Sequence, residues 1–165
     1  MARVALTFVS RAGGPPNGVD AGGRVLPLTY FRLVAAISLG DGLVPLRDAW
    51  VDTGTYLTVI PQSVWDRPDV RAHVEWLQVP PGSIPLAPLL IAGGSFRFRL
   101  GRIVMTAFDV RTNQRLASPV VANFLEDEGA QRPLGQILLG LRHGLLDGRR
   151  LVIEPDVPRA YLEDR

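Results

Sequence analysis

One stretch of the chain has residue types in an order that suits chemistry. In Ala49-Trp50-Val51-Asp52-Thr53-Gly54-Thr55-Tyr56-Leu57-Thr58-Val59-Ile60-Pro61, an apolar run ends on a carboxylate, and a hydroxyl, a glycine and a second hydroxyl follow. Apolar residues then resume. Such an order makes either a polar turn between two strands or half of a carboxylate-based catalytic site. The missing residue types narrow the alternatives. All eighteen basic residues are Arg, and the chain has no Lys and no Cys. Without Lys there is no phosphate-gripping P-loop and no Schiff base. Without Cys there is no thiol nucleophile, disulfide or thiolate metal site. His73 and His143 lie far apart with no acidic partner at metal-ligand spacing, and Ser95 lacks the trailing glycine of a nucleophile elbow. Carboxylates are what remains for catalysis, and neither a metal nor a cofactor is expected.

A second stretch, Gln136-Ile137-Leu138-Leu139-Gly140-Leu141-Arg142-His143-Gly144-Leu145-Leu146, places large apolar residues directly before a glycine. The pairing of the two stretches resembles the aspartic proteases, in particular the retroviral-type, single-lobe retropepsins. The pattern there is an apolar strand running into Asp-Thr/Ser-Gly, a glycine-rich flap, and apolar-apolar-Gly before a last helix. The matching residues are Asp52-Thr53-Gly54-Thr55, a candidate flap at Ala92-Gly93-Gly94-Ser95, and Leu138-Leu139-Gly140. The likeness runs over about residues 30 to 155.

The resemblance implies a mostly β fold: a closed acid-protease-type β-barrel with one or two short helices and one lobe per chain. It implies an aspartic endopeptidase acting on peptides or proteins, with Asp52 as the catalytic carboxylate. Two carboxylates held close share one proton, because neither like charge ionises freely beside the other. One then serves as general base towards water while its protonated partner polarises the carbonyl. The chain has a single Asp-Thr-Gly triplet, so a dyad requires Asp52 from each of two chains meeting on a two-fold axis. In this reading Thr53 bonds across the homodimer, Gly54 turns the backbone and offers an unobstructed N–H, and Thr55 sets a hydroxyl beside Asp52. Gly140 either lets the downstream strand pass close beneath the Asp52 loop or is a plain helix-start glycine. Asp41, Asp48, Asp109, Asp127 and Asp147 lack a comparable glycine-bearing turn and read as turn or surface residues. One departure stands out: retropepsins carry Arg directly after the downstream glycine, whereas here Leu141 holds that place and Arg142 follows. The competing reading is a catalytically inactive module of the same fold that binds peptides or dimerises.

The rest of the chain reads as the frame for these stretches. At 165 residues it is long enough to bury roughly 70% of its unfolded surface in one core. Residues 1–29 form a strand, Arg3 to Ser10, and a Gly/Pro-rich loop outside the resemblance, and residues 30–165 form the protease-like domain. Extended runs are expected at Leu28–Leu39, Leu43–Asp52, Ser95–Val110, Ser118–Leu125, Gln136–Gly140 and, as the last strand, Arg149–Pro155. Gly40-Asp41-Gly42 reads as a hairpin turn. Pro61 suits a first helical position, Pro68 limits that helix to little more than a turn, and Leu141–Gly148 suits a compact helix ended by glycine. The proline-rich arm at 79–88 and the acidic loop around 126–129 account for an Asp52-to-Gly140 spacing longer than in viral enzymes. The net charge is only +2, and Arg97 and Arg99 alternate with Phe96 and Phe98 as on a half-exposed strand, so no nucleic-acid partner is expected. No apolar run approaches the ~18 residues of a membrane span, and no cleavage signal follows the first ten residues. The expectation is a cytoplasmic protein without a membrane partner.

Overall fold

The computed structural model describes residues 2–11, 18–19, 21–26, 30–40, 46–81, 87–91, 94–126, 134–154 and 157–165. In chain order the strands are β1 (Arg3–Arg11), β2 (Gly18–Val19), β3 (Val25–Leu26), β4 (Tyr30–Leu39), β5 (Arg47–Val51) and β6 (Thr58–Ile60). Two one-turn helices follow, α1 (Gln62–Trp65) and α2 (Pro68–Arg71). Then come β7 (Glu75–Trp76), β8 (Leu89–Ile91), β9 (Gly94–Phe108), β10 (Arg115–Glu126), β11 (Ile137–Leu139), β12 (Arg149–Glu154) and β13 (Arg159–Asp164).

The fold is mostly β, built on a closed six-stranded barrel. The order β4-β5-β11-β6-β10-β9 closes on itself because β9 also pairs with β4, Ala36 lying opposite Phe108 and Leu39 opposite Met105. Closure removes the free edges that an open sheet of this kind would present. Two of its pairings are parallel, β5 with β11 and β6 with β10, and the others are antiparallel. Outside the barrel, β1 lies between β4 and β13, and β12 pairs with the far side of β13.

Period-2 alternation explains why several strands are apolar throughout. Ile137 and Leu139 point into the main core with Ile37, Ile60, Met105 and Phe124, while Leu138 points the other way with Val59, Phe96 and Leu125. A strand buried on both faces has no polar face to show. The helices are pinned by aromatic packing. The Trp65 indole N–H donates to the Leu125 carbonyl at 2.7 Å, and Trp65, Trp76 and Phe124 meet edge to face at 5.2 to 6.3 Å.

Several expectations are corrected. Leu141–Gly148 is a run of bends and turns, not a helix. His143 and Gly148 adopt left-handed backbone angles, and the His143 N–H donates to the Asp147 carboxylate at 2.9 Å, which favours turns over helical bonds. The Arg149 guanidinium braces this segment by donating to the Leu145 carbonyl, the Ser118 hydroxyl and the Ala117 carbonyl. Pro61 caps α1 from outside, and Pro68 opens a second helix after ending the first. The glycine-rich loop contains a short ladder, β2 with β3. Arg149–Glu154 is not the last strand, for β13 follows it. There the buried Glu163 carboxylate is met by Arg3 from β1 and Arg150 from β12 at 2.9 and 2.5 Å. Asp41, Gly42, residues 82–86, Ala92, Gly93 and Asp127 lie outside the described residues.

Asp109 closes the β9–β10 turn and ties it to β1. Its carboxylate accepts N–H bonds from Arg111 at 2.9 Å, Thr112 at 3.2 Å and Ala5 at 3.4 Å. Burial pushes its pKa up, but the backbone donors of Arg111 and Thr112, with the Thr112 hydroxyl and Ala5 N–H, together hold it below the usual aspartate value. A depressed folded-state pKa gives stability that is present above the unfolded value of about 3.9 and is lost as pH falls through the folded one. Asp109→Asn is therefore expected to cost about 1–2 kcal/mol near neutral pH, with the gap to the parent closing below about pH 4. Urea unfolding of both proteins across that range checks this; a gap independent of pH contradicts it.

Candidate active site

The site forms where β11 runs between β5 and β6, the two strands that the Asp52 loop connects. Asp52 follows directly on β5, and its backbone N–H donates to the Leu139 carbonyl at 3.1 Å. The carboxylate is held from within its own loop. Oδ1 accepts the Gly54 N–H at 2.9 Å, and Oδ2 accepts the Thr55 hydroxyl at 2.5 Å, the short distance expected of a charge-assisted O–H bond. Each oxygen keeps a further lone pair for a substrate, a water or a second acid. Asp52 is half-buried, whereas Thr53 and Gly54 are exposed.

Gly54 is not required by an unusual turn, and a Cβ there would meet only the mobile end of the Asp52 side chain. It lies outside the left-handed region, and that Cβ would come within 3.3 Å of Asp52 Oδ1. At Gly140 the constraint is far tighter: a Cβ would sit 2.3 Å from the Leu57 carbonyl carbon, 2.6 Å from its oxygen and 2.7 Å from Thr58 N. The downstream strand thus passes directly beneath the end of the Asp52 loop.

Three successive N–H groups fasten this crossing. Gly140 donates to the Thr58 hydroxyl at 3.3 Å, Leu141 to the Thr55 carbonyl at 3.1 Å and Arg142 to the Tyr56 carbonyl at 2.9 Å. The Arg142 side chain makes no ion pair among the described residues, so the fastening here is done by the main chain. Thr58 is a site residue that the sequence reading missed. It is fully buried, and its one visible signal was a hydroxyl inside the apolar run Leu57-Thr58-Val59-Ile60.

Beside Asp52 opens a cavity of about 330 Å³. Trp50, Val51 and Asp52 form one wall, Leu134 and Leu138 another, and Ile91 reaches in from β8. Of the candidate flap, Gly94 and Ser95 start β9, pairing opposite Ile91 and Leu90. The β8–β9 hairpin therefore borders the same cavity as Asp52. Arg32 stands at the rim with its guanidinium carbon 4.0 Å from the centre of the Trp50 ring.

The other carboxylates are placed elsewhere. Asp109 serves the β9–β10 turn, Asp147 serves the 141–148 turns, and Asp48 is exposed on β5. Among the described residues no three His, Cys, Asp or Glu side chains cluster as a metal site, and no helix is long and apolar enough to cross a membrane. No protein-family model, curated protein or solved structure matches the chain.

Proposed function

We propose that the chain is one half of a retropepsin-like aspartic endopeptidase, in which Asp52 of two copies meets across a two-fold axis and hydrolyses peptide bonds. The observation that supports this best is the Asp52 carboxylate itself. It is fixed through both oxygens by Gly54 and Thr55, and it is seated on a crossing at which Gly140 leaves no room for a side chain. A polar turn alone makes comparable bonds to its aspartate, as at Asp109, but does not require the crossing at Gly140.

The chemistry follows from two such carboxylates sharing a proton. The ionised member takes a proton from water as the water oxygen bonds to the peptide carbonyl carbon. The protonated member gives its proton to the carbonyl oxygen. The tetrahedral adduct then returns that proton to the dyad while the C–N bond breaks and the amide nitrogen takes up the other. One water is consumed, and an acid and an amine are released. The Thr53 side chain has no hydrogen bond among the described residues, which leaves it available to the second copy. The β8–β9 hairpin would cover an extended substrate and exclude water.

Dimerisation supplies the test. Hydrolysis of an unstructured protein at about pH 4 to 7 should rise with the square of protein concentration in the dilute range and become linear once the dimer is saturated. Sedimentation should show monomer and dimer over the same range. Activity strictly proportional to concentration in a sedimenting monomer contradicts a shared site.

A further inference from the structure

We propose that Arg32 and Trp50 form a subsite for a glutamate side chain of the substrate, next to the bond that is cut. This assignment rests on reading Asp52 as half of a peptide-cleaving pair. Its own basis is the arrangement at the cavity rim. Arg3, Arg67, Arg71, Arg102, Arg149, Arg150 and Arg159 each meet a carboxylate. Arg32, like Arg99 on Trp76, instead stacks on an aromatic ring, that of Trp50, and among the described residues only Arg32 of the two lines the Asp52 cavity. A guanidinium stacked on an aromatic ring keeps its N–H donors at the edge of the plane, directed away from the ring. That edge is unsatisfied by any carboxylate among the described residues, and it belongs to a residue lining the Asp52 cavity.

The remaining walls decide which acid fits. Val51, Ile91, Leu134 and Leu138 are apolar, so a side chain entering here must bring apolar length before its charge. Glutamate has two methylenes ahead of its carboxylate and suits that sequence of surfaces better than aspartate. Among the described residues the one carboxylate lining the cavity is Asp52, already engaged by Gly54 and Thr55. A pair of such aspartates sharing a proton is anionic and repels an acidic substrate. A planar cation beside it reverses that preference and can hold the incoming carboxylate through two parallel bonds.

The test uses quenched fluorescent octapeptides with apolar flanks, each pair differing only by Glu or Gln at one position around the central bond. Near pH 6 the protein should cleave the Glu member of one pair with kcat/KM about tenfold above its Gln partner, the factor expected of one charge-assisted contact. Arg32→Gln should bring that ratio to within about twofold, and Arg32→Lys, with charge but no planar fork, should give an intermediate ratio. A wild-type ratio near one overturns the subsite, as does an unchanged ratio in Arg32→Gln. A binding arm separates this inference from the enzymatic reading. Fluorescence anisotropy of the same peptides on Asp52→Asn protein should show the Glu preference, and Asp52→Asn with Arg32→Gln should lose it. Preference in binding without any cleavage by the parent keeps the subsite and removes the protease. Cleavage without preference does the opposite.

Discussion

Asp52→Asn is expected to lower peptide hydrolysis by about a thousandfold or more, with the protein still folded and dimeric. General acid–base groups contribute typically ~10²–10⁴ in rate, and in a homodimer one substitution removes both members of the pair. Asparagine keeps the shape of the loop. Its carbonyl can still accept the Gly54 N–H, and the Thr55 hydroxyl can rotate to accept from the new amide. The stability change should therefore stay within about 1 kcal/mol. Rates on an unstructured protein, thermal unfolding and sedimentation of the variant together check this. Hydrolysis that survives within about tenfold refutes the carboxylate mechanism, because no amide can act as the base. Mixing gives the folded variant a second readout. Folded Asp52→Asn chains added in excess to the parent should suppress its activity by trapping it in mixed dimers.

Gly140→Ala should carry the largest stability cost of any glycine substitution at the site. The added carbon would lie 2.3 Å from the Leu57 carbonyl carbon, and the obstructing atoms are backbone. They cannot turn aside as a side chain can. Relief requires β11 and the Asp52 loop to separate, which stretches the bonds from Gly140, Leu141 and Arg142 to Thr58, Thr55 and Tyr56. Overpacking usually costs about 1–3 kcal/mol, and backbone obstruction with strained hydrogen bonds puts this case at about 3–5 kcal/mol. At Gly54 the nearest atom to an added Cβ is Asp52 Oδ1 at 3.3 Å, the mobile end of a side chain. Gly54→Ala should cost no more than about 1 kcal/mol in stability while disturbing the carboxylate. Chemical denaturation of the two variants side by side reads the contrast. Equal and small losses contradict the close crossing.

The elements that the sequence announced clearly are those in which burial and local pattern agree. β5 and β11 are apolar runs ending at Asp52 and Gly140, and their meeting was an expectation of the resemblance, since a glycine after two leucines could equally have opened a helix. β13 went unseen for a physical reason. Arg-Ala-Tyr-Leu-Glu-Asp looks like a solvated tail until Arg3 and Arg150 arrive to neutralise the buried Glu163, and both come from other strands. The turns at 141–148 failed differently. Leu145 at helical spacing from Leu141 suggests a helix, but the His143 carbonyl accepts the Val121 N–H at 2.8 Å, a partner no local pattern reveals. Arg32 and Trp50 were likewise unremarkable as separate letters. They lie eighteen positions apart in the sequence and become a stacked pair only because β4 and β5 are neighbours.

The place of β1 bears on how the molecule is assembled. Its Arg3 pairs with Glu163, a residue 160 positions away, while its second half pairs with nearby β4. A nascent chain on the ribosome can form the β1–β4 contact through Thr7–Arg11 early, but Arg3–Leu6 of β1 has no strand partner until β13 has been synthesised. Pairings of such high contact order place folding in the slow, millisecond-to-second regime of β proteins. Until then β1 presents an open strand edge that other chains can join, and chaperone binding during synthesis should concentrate on that edge.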